Sequence, residues 1–299
     1  MFACALLNSQ PMGFYAPAQI VRDASDHGVE VRDVDVNHSL WDSTLEPGTD
    51  GRCALRLGFR MVKGLAKKDV DNLLARRGSG YRSLAALQQA GVRTAAIVRL
   101  AEADAFRSLG LSRRQAVWAA KRLETQPPLP LFTDLEPPPT AAEPALPVMT
   151  PGEEVVADYR HRGLSLKAHP MTFLRPALEA RGVIPARALD TVRHEQMTTV
   201  SGVVITRQRP GTASGIVFIT LEDETGVTNL VVFNHIFERF RRRILGDRIL
   251  ICRGRVEKAQ GVIHVIAERF EDAGPLLPLM TADPDTDAKS FLAKGRFFF

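Results

Sequence analysis

A chain of 299 residues, 45% hydrophobic and 24% charged, holds enough apolar material for two or three separately packed domains, which excludes a small stapled scaffold. Its three cysteines, Cys4, Cys53 and Cys252, lie far apart, with no CxxC pair and no His/Cys cluster at zinc spacing, which argues against a disulfide framework and a structural zinc. A formal net charge of +5 and a pI near 9.3 suggest a polyanionic partner. No apolar run approaches a membrane span, and the opening MFACALLNSQPMG lacks the pattern of a signal peptide, so a reduced, cytoplasmic chain is expected.

The first predicted elements are a helix over Pro17 to Gly28, with Pro at its start and Gly at its end, and a strand over the alternating run VEVRDVDV. On such a strand Asp33 and Asp35 share a face, and a polymerase palm uses a pair of this kind to hold two Mg²⁺ ions. No third carboxylate strand, P-loop or nucleotide-binding signature accompanies the pair, and His38 does not supply one. The two acids are therefore read as incidental, and no metal or cofactor is expected in this chain.

From Val62 to Leu123 come short helices broken by glycines: KGLAKKDVDNLLARRG, SLAALQQAG, TAAIVRLAEADAF and SLGLSRRQAVWAAKRL. Such short helices must pack together to persist. Between Arg56 and Arg122 there are 15 Lys/Arg against four acids, a net +11, so the rest of the chain is net acidic. Inside this basic stretch lie two turns in which glycine sits between short helices. Ser108-Leu109-Gly110-Leu111-Ser112 leads into Arg113 and Arg114, and the looser Val62-Lys63-Gly64-Leu65-Ala66 leads into Lys67 and Lys68. A tight turn of this kind aims backbone N–H groups and a helix N-terminus at one phosphate, and the cations add charge. Lys63, Gly64, Lys67, Lys68, Ser108, Gly110, Ser112, Arg113 and Arg114 are therefore candidate contacts to a DNA backbone, without regard to sequence.

Thr125 to Pro151 contains nine of the 19 prolines and reads as an extended linker. Its opening QPPLPLF offers Gln126, Leu129, Leu131 and Phe132 either as anchors for a partner's groove or as a segment docked on its own domain.

After helical pieces between Gly152 and Gly182, the period changes to two. TVSGVVITRQ, IVFITL, VTNLVVF, RILICRGRV and VIHVIAERF are five strand candidates, with the basic amphipathic helix HIFERFRRRIL between the third and fourth. That order is the order of an OB-fold barrel, whose second and third strands form a nucleic-acid face. Phe218 either stacks on a base from that face or packs under a neighbouring helix. Arg207 and Arg209, at the end of the first strand, and Arg253 and Arg255, on the fourth, are candidate phosphate contacts. Glu222, Asp223 and Glu224 are explained by a turn that faces water.

Several stretches together resemble the C-terminal part of a bacterial C-family DNA polymerase. They are LLNSQPMGFYAPAQIVRDASDHGVEVRDVDVNHSLWDSTLE, LRLGFRMVKGL, LAEADAFRSLGLSRRQAVWA, GLSLKAHPMTFLRP and TRQRPGTASGIVFITLEDETGVTNLVVF. Within that family the resemblance is to the error-prone, damage-inducible paralogue of the DNA polymerase III alpha subunit, over nearly the whole chain. The resemblance implies an α+β multidomain protein. Residues 1–54 would end the fingers, 55–123 form a tandem helix-hairpin-helix module, 124–151 the Pro-rich linker, 152–197 a helical connector, 198–272 the OB barrel and 273–299 a tail. It also implies that the PHP domain and the palm, with its catalytic aspartates and Mg²⁺, would precede Met1, so this chain by itself is expected to be inactive. The residue before Val-Asp-Val is usually Pro in the family and is Asp33 here, and the tail KSFLAKGRFFF departs from the family's ending. The implied function is DNA binding, double- and single-stranded, within a polymerase of damage-induced mutagenesis and translesion synthesis. A sliding clamp would dock on QPPLPLF, although its prolines depart from the family pattern. A non-catalytic adaptor joining DNA, clamp and mutagenesis factors is the alternative, and the DNA-type hairpins disfavour an anticodon-binding protein.

Overall fold

The computed structural model describes residues 1–13, 15–49, 51–124, 146–211, 215–259, 261–281 and 296–298. Contacts divide the chain into two units, one made of Met1–Met149 with Ala157–Leu166, the other of Thr150–Val156 with Lys167–Phe299.

The first unit begins with α1 (Phe2–Asn8) and α2 (Pro17–Asp26), followed by a three-stranded sheet in the order β1 (Val31–Arg32), β3 (Cys53–Arg56), β2 (Thr44–Pro47). The strand expected over residues 29–36 ends after Arg32. The cause is local: the Asp35 carboxylate accepts the Asn37 N–H at 2.8 Å and the Asp35 N–H donates to Ser39 Oγ at 3.0 Å, a turn that competes with pairing. Four helices follow, α3 (Lys67–Ala75), α4 (Leu84–Gln89), α5 (Thr94–Glu102) and α6 (Arg113–Glu124), close to the helical runs read from the sequence. None is long enough to persist alone in water. They stand because each turns a few apolar side chains inward, Val70 and Leu73, Leu84 and Leu87, Ile97 and Leu100, Ala116 and Ala120, around the fully buried Phe59 and Phe106. Each buried phenylalanine contributes about 1.5–3 kcal/mol.

The helix α7 (Pro151–His161) is divided between the two units, and α8 (Pro170–Glu179) belongs to the second. The barrel is built from β5 (Met197–Gln208), β6 (Val217–Glu222), β7 (Val227–Val232), β8 (Ile249–Ala259) and β9 (Val262–Glu271), with α9 (Asn234–Gly246) between β7 and β8. Pairing runs β5–β6–β7–β9–β8, and β8 returns to β5, so the five strands close. Only the β7–β9 pair among these is parallel. Two further pieces, β4 (Val183–Ile184) and β10 (Arg296–Phe298), lie parallel to β5. Closure removes the exposed edges that open sheets present to other chains. Inside lie Val200, Val204, Val217, Ile219, Leu221, Leu230, Val232, Val265 and Phe270, the inward half of each alternation, and α9 adds Ile236, Phe237 and Ile244.

The hairpin between β6 and β7 differs from expectation. Its acids do not face water: Asp223 is 2% exposed. One of its oxygens accepts the N–H groups of Thr225 and Gly226 at 2.7 and 3.0 Å, and the other accepts Ala186 N–H at 2.7 Å and Arg175 at 3.0 Å. Arg175 also donates to Glu224 at 2.5 and 3.0 Å. The acidic turn is a clasp that fastens α8 to the barrel.

Candidate nucleic-acid interface

In the first unit the two glycine turns have closely similar geometry. Gly64 and Gly110 both adopt the left-handed conformation, φ 75° and 73°, each after a single 3₁₀ turn and before an apolar residue and the first turn of α3 or α6. Only glycine enters that region without strain, which is why the turn can bend sharply enough to expose a helix N-terminus. At the second turn Ser112 and Gln115 form a reciprocal cap, Ser112 N–H donating to Gln115 Oε1 at 3.0 Å and Gln115 N–H to Ser112 Oγ at 3.4 Å. The turn is braced from behind: Ser108 N–H donates to Asp35 Oδ2 at 3.1 Å, and Asn37 Nδ2 donates to Ser108 Oγ at 3.1 Å. Asp33 ion-pairs with Arg162. Both members of the suspected metal pair are thus occupied by structural partners.

A third turn escaped the sequence reading. Gly91, φ 79°, followed by buried Val92, leads into α5, with Arg93 as its N-cap residue. Arg93 is 69% exposed and grips Asp69 with two bonds of 2.6 Å, which hold the Asp69 carboxyl below the usual aspartate range. The signal was present in Ala90-Gly91-Val92 but lacked the paired cations that marked the other two turns.

The candidate cations separate into two groups. Lys63, Lys67 and Lys68 are exposed beside the Gly64 turn; Lys63 Nζ donates to the Tyr159 carbonyl at 2.8 Å and Lys67 pairs with Asp71 at 2.8 Å. Arg114 is half-buried and donates to the Pro147 carbonyl at 2.7 Å. Arg113 is a correction: it is 4% exposed and ion-paired with Asp158, so its charge is consumed inside the fold rather than offered to a phosphate. Arg99, which the sequence did not single out, lies beside the Gly64 turn, its Nε within 3.6 Å of where a side chain on that glycine would begin.

On the barrel, β6 alternates as expected, with Val217, Ile219 and Leu221 inside and Phe218 outside at 37% exposure. Cross-strand register carries Phe218 to Val231 on β7, Ile266 on β9 and Arg255 on β8, one row over four strands and about 14 Å along the sheet. Arg255 is half-buried and ion-paired with Glu195, and Arg253 is exposed on the same strand. Arg209 is half-buried, donating to Asn234 Oδ1 at 3.1 Å with its guanidinium 5.0 Å from the Phe237 ring centroid. Arg207 is the second correction. It is 3% exposed and donates to the carbonyls of Ile244 and Asp247 at 2.6 and 2.5 Å, capping the C-terminal end of α9. Burial lowers its pKa to about 10, against the pull of Asp247, so it is still a cation at neutral pH. Gln126, Leu129, Leu131 and Phe132 lie outside the described residues. Among the described residues no helix is long and apolar enough to cross a membrane.

Basic helical hairpins with left-handed glycine turns, joined in one chain to a closed five-stranded barrel with an aromatic on its outer second strand, define a nucleic-acid-binding polypeptide. Comparison agrees. Residues 28–116 match the helix-hairpin-helix motif family and residues 198–273 the OB-fold nucleic acid binding domain family. The error-prone DNA polymerase of Ruegeria pomeroyi is 52% identical over 280 residues, 93% of this chain and 25% of that protein. Error-prone DNA polymerase 1 of Rhizobium meliloti is 46% identical over 94% of this chain and 27% of its own length, and the error-prone DNA polymerase of Caulobacter vibrioides 46% over 96% and 29%. Among solved structures, asparaginyl-tRNA synthetase from Pyrococcus horikoshii is similar over 29% of this chain and 22% of its own, at 23% identity and TM-score 0.26. Over 93–96% of its length the chain is thus similar to a C-terminal part of these bacterial error-prone DNA polymerases. It spans about a quarter of the length of these relatives.

Proposed function

We propose that this chain is the DNA-holding portion of an error-prone polymerase, with the hairpin unit gripping the backbone of duplex DNA and the barrel taking single-stranded DNA on the outer face of β6 and β7. The observation that carries it is the pairing, in one chain, of two left-handed glycine turns, the first beside the exposed Lys63, Lys67 and Lys68, with an outward Phe218 on the second strand of a closed barrel. Backbone N–H groups at a helix start favour phosphate whatever the base, and an exposed aromatic ring stacks on any base. DNA-directed nucleotidyl transfer, translesion synthesis in damage-induced mutagenesis, cytoplasmic location and docking to a sliding clamp through residues 126–132 belong to this proposal as properties of the parent polymerase. Mg²⁺ would serve the palm, since Asp33 and Asp35 are engaged with Arg162 and with the backbone of the hairpin turn.

The test is a titration of the whole chain with duplexes of unrelated sequence at several salt concentrations, alongside a primer-extension assay. Equal affinities, with log K falling linearly against log salt, are expected for a backbone-directed interface. No nucleotide incorporation is expected, with or without Asp35→Asn. Affinity that tracks base sequence, or extension abolished by that substitution, would overturn the reading.

A further inference from the structure

The arginines of α9 belong neither to the strand face nor to the core. Between Asn234 and Arg248 stand five arginines against two acids, Glu238 and Asp247. The inward side of α9 is apolar, with Ile236, Phe237 and Ile244 buried and Phe240 set edge-on against Phe270 at 5.8 Å. His235, Arg239, Arg241 and Arg242 are exposed. A solvated helix face would account for such a run if it were interleaved with acids, as exposed helices commonly are. Here the closest acid, Glu238, lies 3.8 Å from Arg241, at the weak end of ion-pair range.

Two features single this face out. The guanidiniums of Arg209 and Arg241 lie 5.0 and 6.0 Å from the centroid of one ring, that of Phe237, and Arg239 lies 5.3 Å from that of Phe240. Cation–π attraction gathers like charges that repel one another, and an anion between them removes that repulsion. The second feature is continuity with the strand face. Phe233, 41% exposed, follows β7 two residues after Val231, the cross-strand neighbour of Phe218, and it stacks on His235 at 6.3 Å with 16° between the rings. Aromatic surface therefore leads from Phe218 to the first turn of α9. From His235 a spacing of four along the helix reaches Arg239; α9 is kinked at Phe240, and the exposed Arg241 and Arg242 follow directly after the kink. Arg209, bonded to Asn234 at 3.1 Å, ties the β5–β6 loop to the same corner.

We propose that α9 carries a second single-stranded DNA contact, an arginine track of Arg209, Arg239, Arg241 and Arg242 that receives the phosphodiester backbone as the strand leaves Phe218 by way of Phe233 and His235. Alternation of aromatic rings and cations is the pattern that holds a strand without reading its sequence. Arg207, buried beneath the far end of α9 and charged at neutral pH, adds to the positive potential there. The proposal rests on single-strand binding by the barrel and extends it to a face outside the sheet.

The test uses the whole chain, its R239Q/R241Q/R242Q variant and the charge-keeping R239K/R241K/R242K variant, titrated by fluorescence anisotropy at several salt concentrations. The probes are oligothymidylates of about 6 nucleotides, near the low end of a barrel's site, and of about 20, beyond it. On the longer strand the glutamine variant should lose about two units of the slope of log K against log salt, each cation on a single strand contributing about 0.7. On the shorter strand it should bind as the unaltered chain does, and the lysine variant should keep the slope on both. Thermal melts of all three should coincide, because the substituted side chains are exposed. Unchanged slope and affinity of the glutamine variant on the longer strand would overturn the track and assign the arginines to a protein partner, leaving the strand face standing. Failure of the unaltered chain to bind either strand would remove the strand face and the track together.

Discussion

Arg113, in the first turn of α6, ion-pairs with Asp158, and the two side chains are 4% and 0% exposed. Asp158 also pairs with Arg162 and accepts the Ser165 hydroxyl at 2.7 Å, so one carboxylate neutralises two buried guanidiniums. Asp158→Ala removes the acid they share, leaving Arg162 to Asp33 and Arg113 to Asp104 at 3.7 Å, and should destabilise the first unit by about 3 kcal/mol, the low end for breaking a buried pair. Both tryptophans, Trp41 and Trp118, lie in that unit, so urea unfolding followed by their fluorescence reports on it alone. A loss below about 1 kcal/mol would mean that the pair is no more than a surface bridge.

The exposed cations should behave in the opposite way. Replacing Lys67 and Lys68 with Gln should leave the unfolding midpoint nearly unchanged, yet lower the salt slope of duplex binding by about two, equally for all sequences. Arg113→Gln should do the reverse and lose stability. If Arg113→Gln flattened the slope without destabilising the fold, the buried position of that arginine would be contradicted.

Burial holds the His161 pKa below its ordinary 6.5; Glu102, at 3.4 Å, opposes this, and Arg113, Arg160 and Arg99 reinforce it. An unfolded chain therefore takes up the proton at a higher pH than the folded one does. The unfolded state binds more protons in that interval, so stability is lost as pH falls through the ordinary histidine range toward the lowered value. Each unit of lowering corresponds to about 1.4 kcal/mol. Melting of the first unit should fall between about pH 7 and pH 5, and His161→Gln should flatten that decline. Identical pH profiles for the two proteins would show that other groups set it.

Phe218 supplies the most direct test of the barrel face. Its ring is outside and 37% exposed, so Phe218→Ala should leave the melting temperature of the second unit almost unchanged while costing about 1–3 kcal/mol of single-strand affinity. A large loss of stability with affinity retained would instead indicate a scaffold role.

The pattern along the chain determined the elements. Period-two runs after Thr198 became β5 to β9, glycine-broken helical runs became α3 to α6, and the order of five strands with a helix between the third and fourth foretold a closed barrel. Such signals are legible because helices and strands repeat over a few neighbouring residues, and the turn glycines act on their own backbone. The fate of individual charges was not local. Arg113 and Arg207 look like surface cations beside Arg114 and Arg209, and what buried them was an acid 45 residues away in one case and helix carbonyls 37 and 40 residues away in the other. Asp223 read as a turn residue facing water until Ala186 and Arg175 closed over it. A charged side chain stays inside only where a distant partner offsets its lost hydration, and that partner is chosen by the packing of whole elements, which only the tertiary structure supplies.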